Sequence, residues 1–144
     1  MINVKIVKLD PEIPTPQYQT AGSAGCDVHS AEDVKIPPGE RVLVRTGLRM
    51  EIPEGFECQI RPRSSLALKH GVVVFNSPST IDSDYRGELA ILLINQGSSL
   101  FKVAKGDRIA QFVFATVTVA SFEDVDELSD TKRGEGGWGS TGVR

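Results

Sequence analysis

The segment Arg133-Gly134-Glu135-Gly136-Gly137-Trp138-Gly139-Ser140-Thr141-Gly142 sets an arginine, an indole ring and two adjacent hydroxyls in a stretch that is half glycine. Bare glycine amides, Arg133, Ser140 and Thr141 are donors suited to phosphate oxygens, and Trp138 offers a flat face to a base. Glycine loses more backbone freedom on ordering than any other residue, so such a segment stays mobile until a ligand fixes it. Composition alone describes a disordered C-terminus equally well. Gly134, Gly136 and Gly139 have the spacing of a dinucleotide fingerprint but lack the strand before and helix after that the motif needs. Gly139-Ser140-Thr141 likewise lacks the lysine of a Walker loop.

Two further segments carry chemistry. Ile81 to Glu88 supplies the carboxylates of Asp82, Asp84 and Glu88. If extended, it puts Asp82 and Asp84 on one face, opposite Ser83 and Tyr85; a solvated acidic turn is the plain alternative. In Arg61-Pro62-Arg63 the proline biases Arg61 to an extended conformation, so two guanidinium groups can project from one side; two surface cations are the alternative. His29 and His70 are the only histidines. That supports neither a histidine metal cluster nor a Ser/His/Asp arrangement and leaves a carboxylate as the candidate base.

These residues need a scaffold, and 144 residues suffice for one domain with one core. The net charge of −3 and the scattered basic residues lack the footprint of a nucleic-acid binder, and no apolar stretch reaches signal-peptide or membrane length. Cys26 and Cys58 are too few for a disulfide framework or a structural zinc site, which points to a soluble protein of a reducing compartment, the cytoplasm.

Short apolar runs between turn signals predict strands at Val4 to Leu9, Arg41 to Arg45, Glu57 to Arg61, Val72 to Phe75, Leu89 to Asn95 and Arg108 to Val119. Pro37-Pro38-Gly39, Pro53-Glu54-Gly55 and Gly97-Ser98-Ser99 predict turns, and Ser64 to Lys69 one short helix with Ser64 as N-cap. The expected fold is all-β, a sandwich or jelly roll. Leu89 to Ile94 and Phe112 to Val119 lack polar alternation, so both faces should be covered, by a second sheet together with either a neighbouring subunit or a larger monomeric core. We divide the chain into a core, 1–119, an acidic spacer, 120–132, and a flexible glycine-rich arm, 133–144. At roughly 3.3 Å per extended residue the spacer carries the arm far enough to reach another subunit.

Taken in order, Ala24 to Val28, Pro62 to Ala67, Ile81 to Glu88, Gly106 to Gln111 and Arg133 to Gly142 resemble the five motifs of the trimeric deoxyuridine triphosphatases (dUTPases), from about Ala21 to the C-terminus. The resemblance implies a jelly-roll homotrimer with sites shared between subunits, splitting dUTP to dUMP and pyrophosphate and so supplying dUMP while limiting uracil in DNA. Asp82 would be the base that activates water for attack on the α-phosphorus. Tyr85 would pack under the deoxyribose, and Asn76 with the hairpin backbone would bind the uracil edge. Arg63, Ser64, Ser65 and Gln111 would contact phosphate, with Arg133, Gly139, Ser140 and Thr141 closing from another subunit and Trp138 stacking on uracil. Mg²⁺ would be held by the phosphates and water, with no direct protein ligand and Asp27 as a possible outer-shell partner.

Asp107 and Arg108 would pair at the subunit interface. Ser65 and Ser79 stand where glycine is usual, Trp138 replaces phenylalanine, and Cys26 is smaller than the common residue; a positive φ at Ser79 would strain the hairpin. The related dCTP deaminases place a glutamate at the position of Leu92 and an arginine at that of Thr80, and both groups are missing. A non-catalytic nucleotide-sensing trimer is the other alternative, against which intact Asp82, Tyr85 and Arg133 argue.

Overall fold

Proline and glycine set where the strands stop. In Pro37-Pro38-Gly39 and Pro53-Glu54-Gly55 the glycines take φ of 80° and 82°, and the turns close through Glu40 N–H to Pro37 O at 3.1 Å and Phe56 N–H to Pro53 O at 3.2 Å. Only a residue without a Cβ adopts that φ without strain. The computed structural model describes residues 1–140 and Gly142.

The strands are β1 (Lys5–Lys8), β2 (Cys26–His29), β3 (Val34–Ile36), β4 (Arg41–Arg45), β5 (Leu48–Glu51), β6 (Phe56–Arg61), β7 (Val72–Val74), β8 (Ser79–Ile81), β9 (Ala90–Asn95), β10 (Phe101–Val103) and β11 (Arg108–Thr116), with one helix, α1 (Ser64–His70). They form a four-stranded sheet β2-β11-β6-β8, a three-stranded sheet β4-β9-β7 and two ribbons, β1-β5 and β10-β3, all antiparallel. This is the all-β, jelly-roll-like architecture that the apolar runs predict.

Alternation along the strands builds the core. Cys26 and Val28 of β2, Cys58 and Ile60 of β6, and Phe112 of β11 face inward, towards Val44 of β4, Val72 and Val74 of β7, and Ile91 and Leu93 of β9. Buried Asn95 is satisfied: its Nδ2 donates to Ile36 O and Ser99 O, both at 2.8 Å, and its Oδ1 accepts from Gly97 N–H at 2.9 Å. One polar side chain thus joins β3, β9 and the loop that follows at little desolvation cost.

The structure redraws several expectations. The last strand ends at Thr116, and residues 117–140 hold neither strand nor helix. β9 alternates after all, with Ile91, Leu93 and Asn95 buried and Ala90, Leu92 and Ile94 half-buried. The chain therefore covers one face of β9 and not the other; Leu43, opposite Leu92, is 59% exposed. Arg63, not Ser64, occupies the N-cap position of α1, in extended conformation and without a side-chain cap. Ser79 has no positive φ, so the feared strain is absent. The three- to four-residue spans of β2, β3, β5, β8 and β10 are too brief to show periodicity and escape sequence reading.

Both cysteines are free and buried. Burial, with smaller contributions from the Cys26 and Glu57 charges, lifts the Cys58 thiol to about 12, and burial also raises Cys26. Since the thiolate is the reactive form, neither should react with a chromogenic thiol reagent at pH 8 until denaturant is added, when both should titrate by absorbance.

Candidate active site

The loop that follows β8 is tied down through its carbonyls. Arg86 Nη1 donates to Ser83 O at 2.6 Å and Tyr85 O at 3.0 Å, and Arg49 Nε donates to Arg86 O at 2.6 Å. Glu88 completes the anchor, accepting from Arg45 Nε at 3.1 Å and from Gly47 N–H at 3.1 Å. Asp82 and Asp84 lie exposed at the surface, and among the described residues neither carboxylate is engaged in a hydrogen bond or ion pair. The extended reading of this stretch fails: Ser83 and Asp84 form a turn, closed by Tyr85 N–H to Asp82 O at 3.2 Å. Tyr85 folds back, its hydroxyl donating to Glu88 O at 3.1 Å. Its ring covers Gly87 so closely that a Cβ there would overlap the phenol. Asn76, in the β7–β8 connection, donates through Nδ2 to Ser79 Oγ at 3.2 Å.

A second group gathers at the far end of β6. Gln111 of β11 pairs with Arg61 of β6 on one side and Asp27 of β2 on the other. Its Nε2 donates to Pro62 O at 2.8 Å, and its side chain fills the space a Cβ on Gly25 would need. Asp27 sits between two guanidinium groups: Arg108 Nη1 donates to Oδ2 at 2.9 Å, and Arg63 Nε forms an ion pair with Oδ1 at 3.2 Å. Arg63 Nη1 also donates to Arg108 O at 3.0 Å.

This corrects two expectations. Arg108 pairs with Asp27 and not with Asp107, whose Oδ2 instead accepts from Ala104 N–H at 2.8 Å in the preceding turn. A register shift between Arg108 and Ala110 turns the neighbouring side chains apart. Nor do Arg61 and Arg63 act as a pair, since Arg61 turns to Gln59 Oε1, with Nη2 at 2.6 Å. Ser64 and Ser65 are exposed on the first turn of α1.

His29 lies beside this cluster with Nδ1 buried and unpartnered. Burial lowers its pKa first, and the Arg108 and Arg63 charges lower it further against the opposing pull of Asp27.

The two groups are far apart within one chain. Ile81 pairs with Cys58, whereas Gln111 pairs with Arg61. Three residues of strand and two strand spacings separate them by on the order of 14 Å, and Asp82 steps further away. The glycine-rich segment joins neither. Beyond Val117 N–H to Gly55 O at 2.9 Å, the recorded hydrogen bonds of the described tail are local, such as Ser140 N–H to Gly137 O at 2.8 Å and Arg133 Nε to Gly136 O at 2.6 Å. Trp138 is fully exposed, Gly139 and Ser140 are exposed, and Thr141 lies outside the described residues.

Residues 11–142 match the dUTPase family pattern. The chain belongs to the dUTPase family. It is 57% identical over 141 residues to a deoxyuridine 5′-triphosphate nucleotidohydrolase of Nautilia profundicola, covering 98% of this chain and 99% of that one. A Zymomonas mobilis protein of the same name is 52% identical over 142 residues, covering 99% and 97%. Among solved structures, the dUTPase of Staphylococcus bacteriophage 80alpha with dUPNHPP superposes with a TM-score of 0.91 at 27% identity, covering 98% of this chain and 99% of that chain.

Sequence reading of this dUTPase-family chain missed Arg49, Arg86 and Glu88, which hold the Asp82 loop, and the bond between Asp27 and Arg108. Gly25 and Gly87 were the available signals, each marking a side chain pressed against bare backbone. Replacing Gly25 with alanine should drive Gln111 off Pro62 O and lower the thermal midpoint by about 2–4 °C for each kcal/mol lost; calorimetry against the parent measures it.

Proposed function

We infer that this chain hydrolyses dUTP to dUMP and pyrophosphate, in a homotrimer whose sites draw residues from more than one subunit. The observation that carries the shared site is the strand register, which holds the Asp82 loop and the Arg63/Gln111 cluster at opposite levels of β6. A single nucleotide meets both groups when the loop of one copy faces the cluster of the next. The half-exposed apolar face around Leu43, Leu92 and Ile94 supplies surface for such association.

Asp82 takes a proton from water as the water oxygen bonds to the α-phosphorus and the bond to the β-phosphate bridging oxygen breaks. Pyrophosphate leaves in line with the attack. Arg63, Gln111 and Ser64, with Ser65 beside them, receive the β- and γ-phosphates. The Tyr85 ring, braced against Gly87 and held by Glu88 O, closes the space a 2′-hydroxyl would need. Asn76 and the hairpin backbone read the uracil edge, and a buried amide left unpaired by cytosine would penalise it.

Among the described residues no cluster of three His, Cys, Asp or Glu side chains is arranged to hold a metal. This suits Mg²⁺ carried by the triphosphate and water, which would neutralise charge on the departing pyrophosphate. Arg133, Trp138, Gly139, Ser140 and Thr141 close over the nucleotide from a further subunit, with 120–132 as their tether. That tether is not merely acidic, because Phe122, Val125 and Leu128 are exposed apolar side chains at every third position, in phase with exposed Val119 just before it. Such a face can rest on a neighbouring copy. No helix among the described residues is long and apolar enough to cross a membrane, and with two free thiols we place the enzyme in the cytoplasm.

Purified protein with Mg²⁺ should convert dUTP to dUMP and pyrophosphate and leave dCTP, dTTP and UTP nearly untouched, as read by chromatography of products. Ammonia release from dCTP would overturn the assignment in favour of a deaminase, and binding without turnover would favour a sensor. Asp82→Asn should keep nucleotide binding while lowering kcat by about 10²–10⁴-fold. Deleting residues 132–144 should cut activity without unfolding the core. Mixing that deletion with Asp82→Asn chains should restore part of the rate, since mixed trimers then contain sites with an intact Asp82 and an intact arm; no recovery would mean self-contained sites.

A further inference from the structure

We propose that Asp27 and Arg108 are positioning residues that fix the guanidinium of Arg63 for the triphosphate. The proposal deepens the reading of Arg63 as a phosphate ligand and rests on it.

The geometry is a closed triangle. Asp27 Oδ1 faces Arg63 Nε at 3.2 Å, Asp27 Oδ2 accepts from Arg108 Nη1 at 2.9 Å, and Arg63 Nη1 donates to Arg108 O at 3.0 Å. The Asp27 and Arg63 side chains are only 13% and 20% exposed, while that of Arg108 is 43% exposed. Two of the three arginine nitrogens of Arg63 are thereby committed to protein oxygens. Among the described residues Nη2 has no protein partner, and it is left for a phosphate oxygen. An unrestrained arginine has a long flexible stem, and a planar fork already locked by two contacts loses less freedom on binding.

The bond from Arg63 to a carbonyl of Arg108 explains why Arg108 matters beyond its charge. The register shift at Arg108 presents that carbonyl to Arg63 while its side chain returns to Asp27. Asp27 also offsets the repulsion between two partly buried cations, so removing its charge should let both guanidinium groups turn to water.

The test compares Asp27→Asn, Arg108→Gln, the double variant and Arg63→Gln as full-length assembled protein. Affinity for a non-hydrolysable α,β-imido analogue of dUTP is measured by calorimetry with and without Mg²⁺, alongside KM and kcat for dUTP turnover. Asp27→Asn should weaken analogue binding and raise KM by about tenfold or more, with the loss present without Mg²⁺ as well. Binding of dUMP should be unaltered. Arg108→Gln should act in the same direction, and the double variant should be no worse than Asp27→Asn alone, because both act through one side chain.

A loss confined to the Mg²⁺-containing measurement, unchanged affinity or tighter binding in Asp27→Asn would each overturn the proposal. If Arg63→Gln itself leaves analogue affinity intact, the phosphate-ligand reading fails, which is a separate result from Arg63→Gln weakening binding while Asp27→Asn does not. Should Asp27→Asn fail to assemble by size-exclusion chromatography, Arg108→Gln decides alone: an analogue affinity weakened without Mg²⁺ supports the triangle, and parental affinity overturns it.

Discussion

Strand β6 lies between β11 and β8, and its register fixes what each end of the molecule can do. Cys58 and Ile60 turn into the core and cannot change places with Glu57, Gln59 and Arg61 without burying charge. A slip of one residue would exchange those faces, so the register is strongly specified. On the outer side a ladder reinforces it, from Arg61 to Gln59 Oε1 and from Gln59 Nε2 to Glu57 Oε1, the last at 2.6 Å. With β6 fixed, Pro62 O meets Gln111 at one level and Asp82 emerges past the other. Separation of the Asp82 loop from the Arg63/Gln111 cluster within one chain is thus a consequence of strand pairing.

The same logic explains which parts of the molecule were legible in the sequence. The five motifs stand out because each demands unusual residue types at fixed offsets, such as Gly87 two positions after Tyr85, or Gly25 two before Asp27. Long apolar runs located β4, β6 and β9, and Pro-Pro-Gly and Pro-Glu-Gly located their turns. The triangle of Asp27, Arg63 and Arg108 was not legible, because its members come from three separate segments that only the β2-β11-β6 pairing brings together. Asp107 and Arg108 misled for the opposite reason. Neighbours in sequence looked like a pair, and a local register shift sent one to a turn amide and the other across the sheet.

The apolar run of β9 predicted cover on both faces, whereas the chain itself covers only one. Ile91 and Leu93 are sealed by the opposing sheet, while Leu92 and Leu43 face each other on the outside, with Phe75 exposed beside Arg41 at 5.5 Å from its guanidinium carbon. Burying a side chain of this size contributes roughly 1.5–3 kcal/mol, so a face of several supplies a substantial driving force for association. Polar groups at the far end of β6 would then be brought together by contacts that have nothing to do with chemistry.

The glycine-rich arm poses the converse problem. Fixing a backbone residue costs roughly 1–2 kcal/mol, so ordering the ten residues from Arg133 to Gly142 from a random state would cost more than a nucleotide's contacts readily return. The structure lowers that cost in advance. Local turns at Gly136 N–H to Arg133 O, Ser140 N–H to Gly137 O and Gly142 N–H to Gly139 O already fold the segment on itself, and Arg133 Nε holds Gly136 O. On the function proposed above, a partly folded arm that needs only to dock would be closed by three phosphates and released when two of them leave as pyrophosphate. The glycines permit the tight turns that prepare the arm, with Gly134, Gly139 and Gly142 at positive φ.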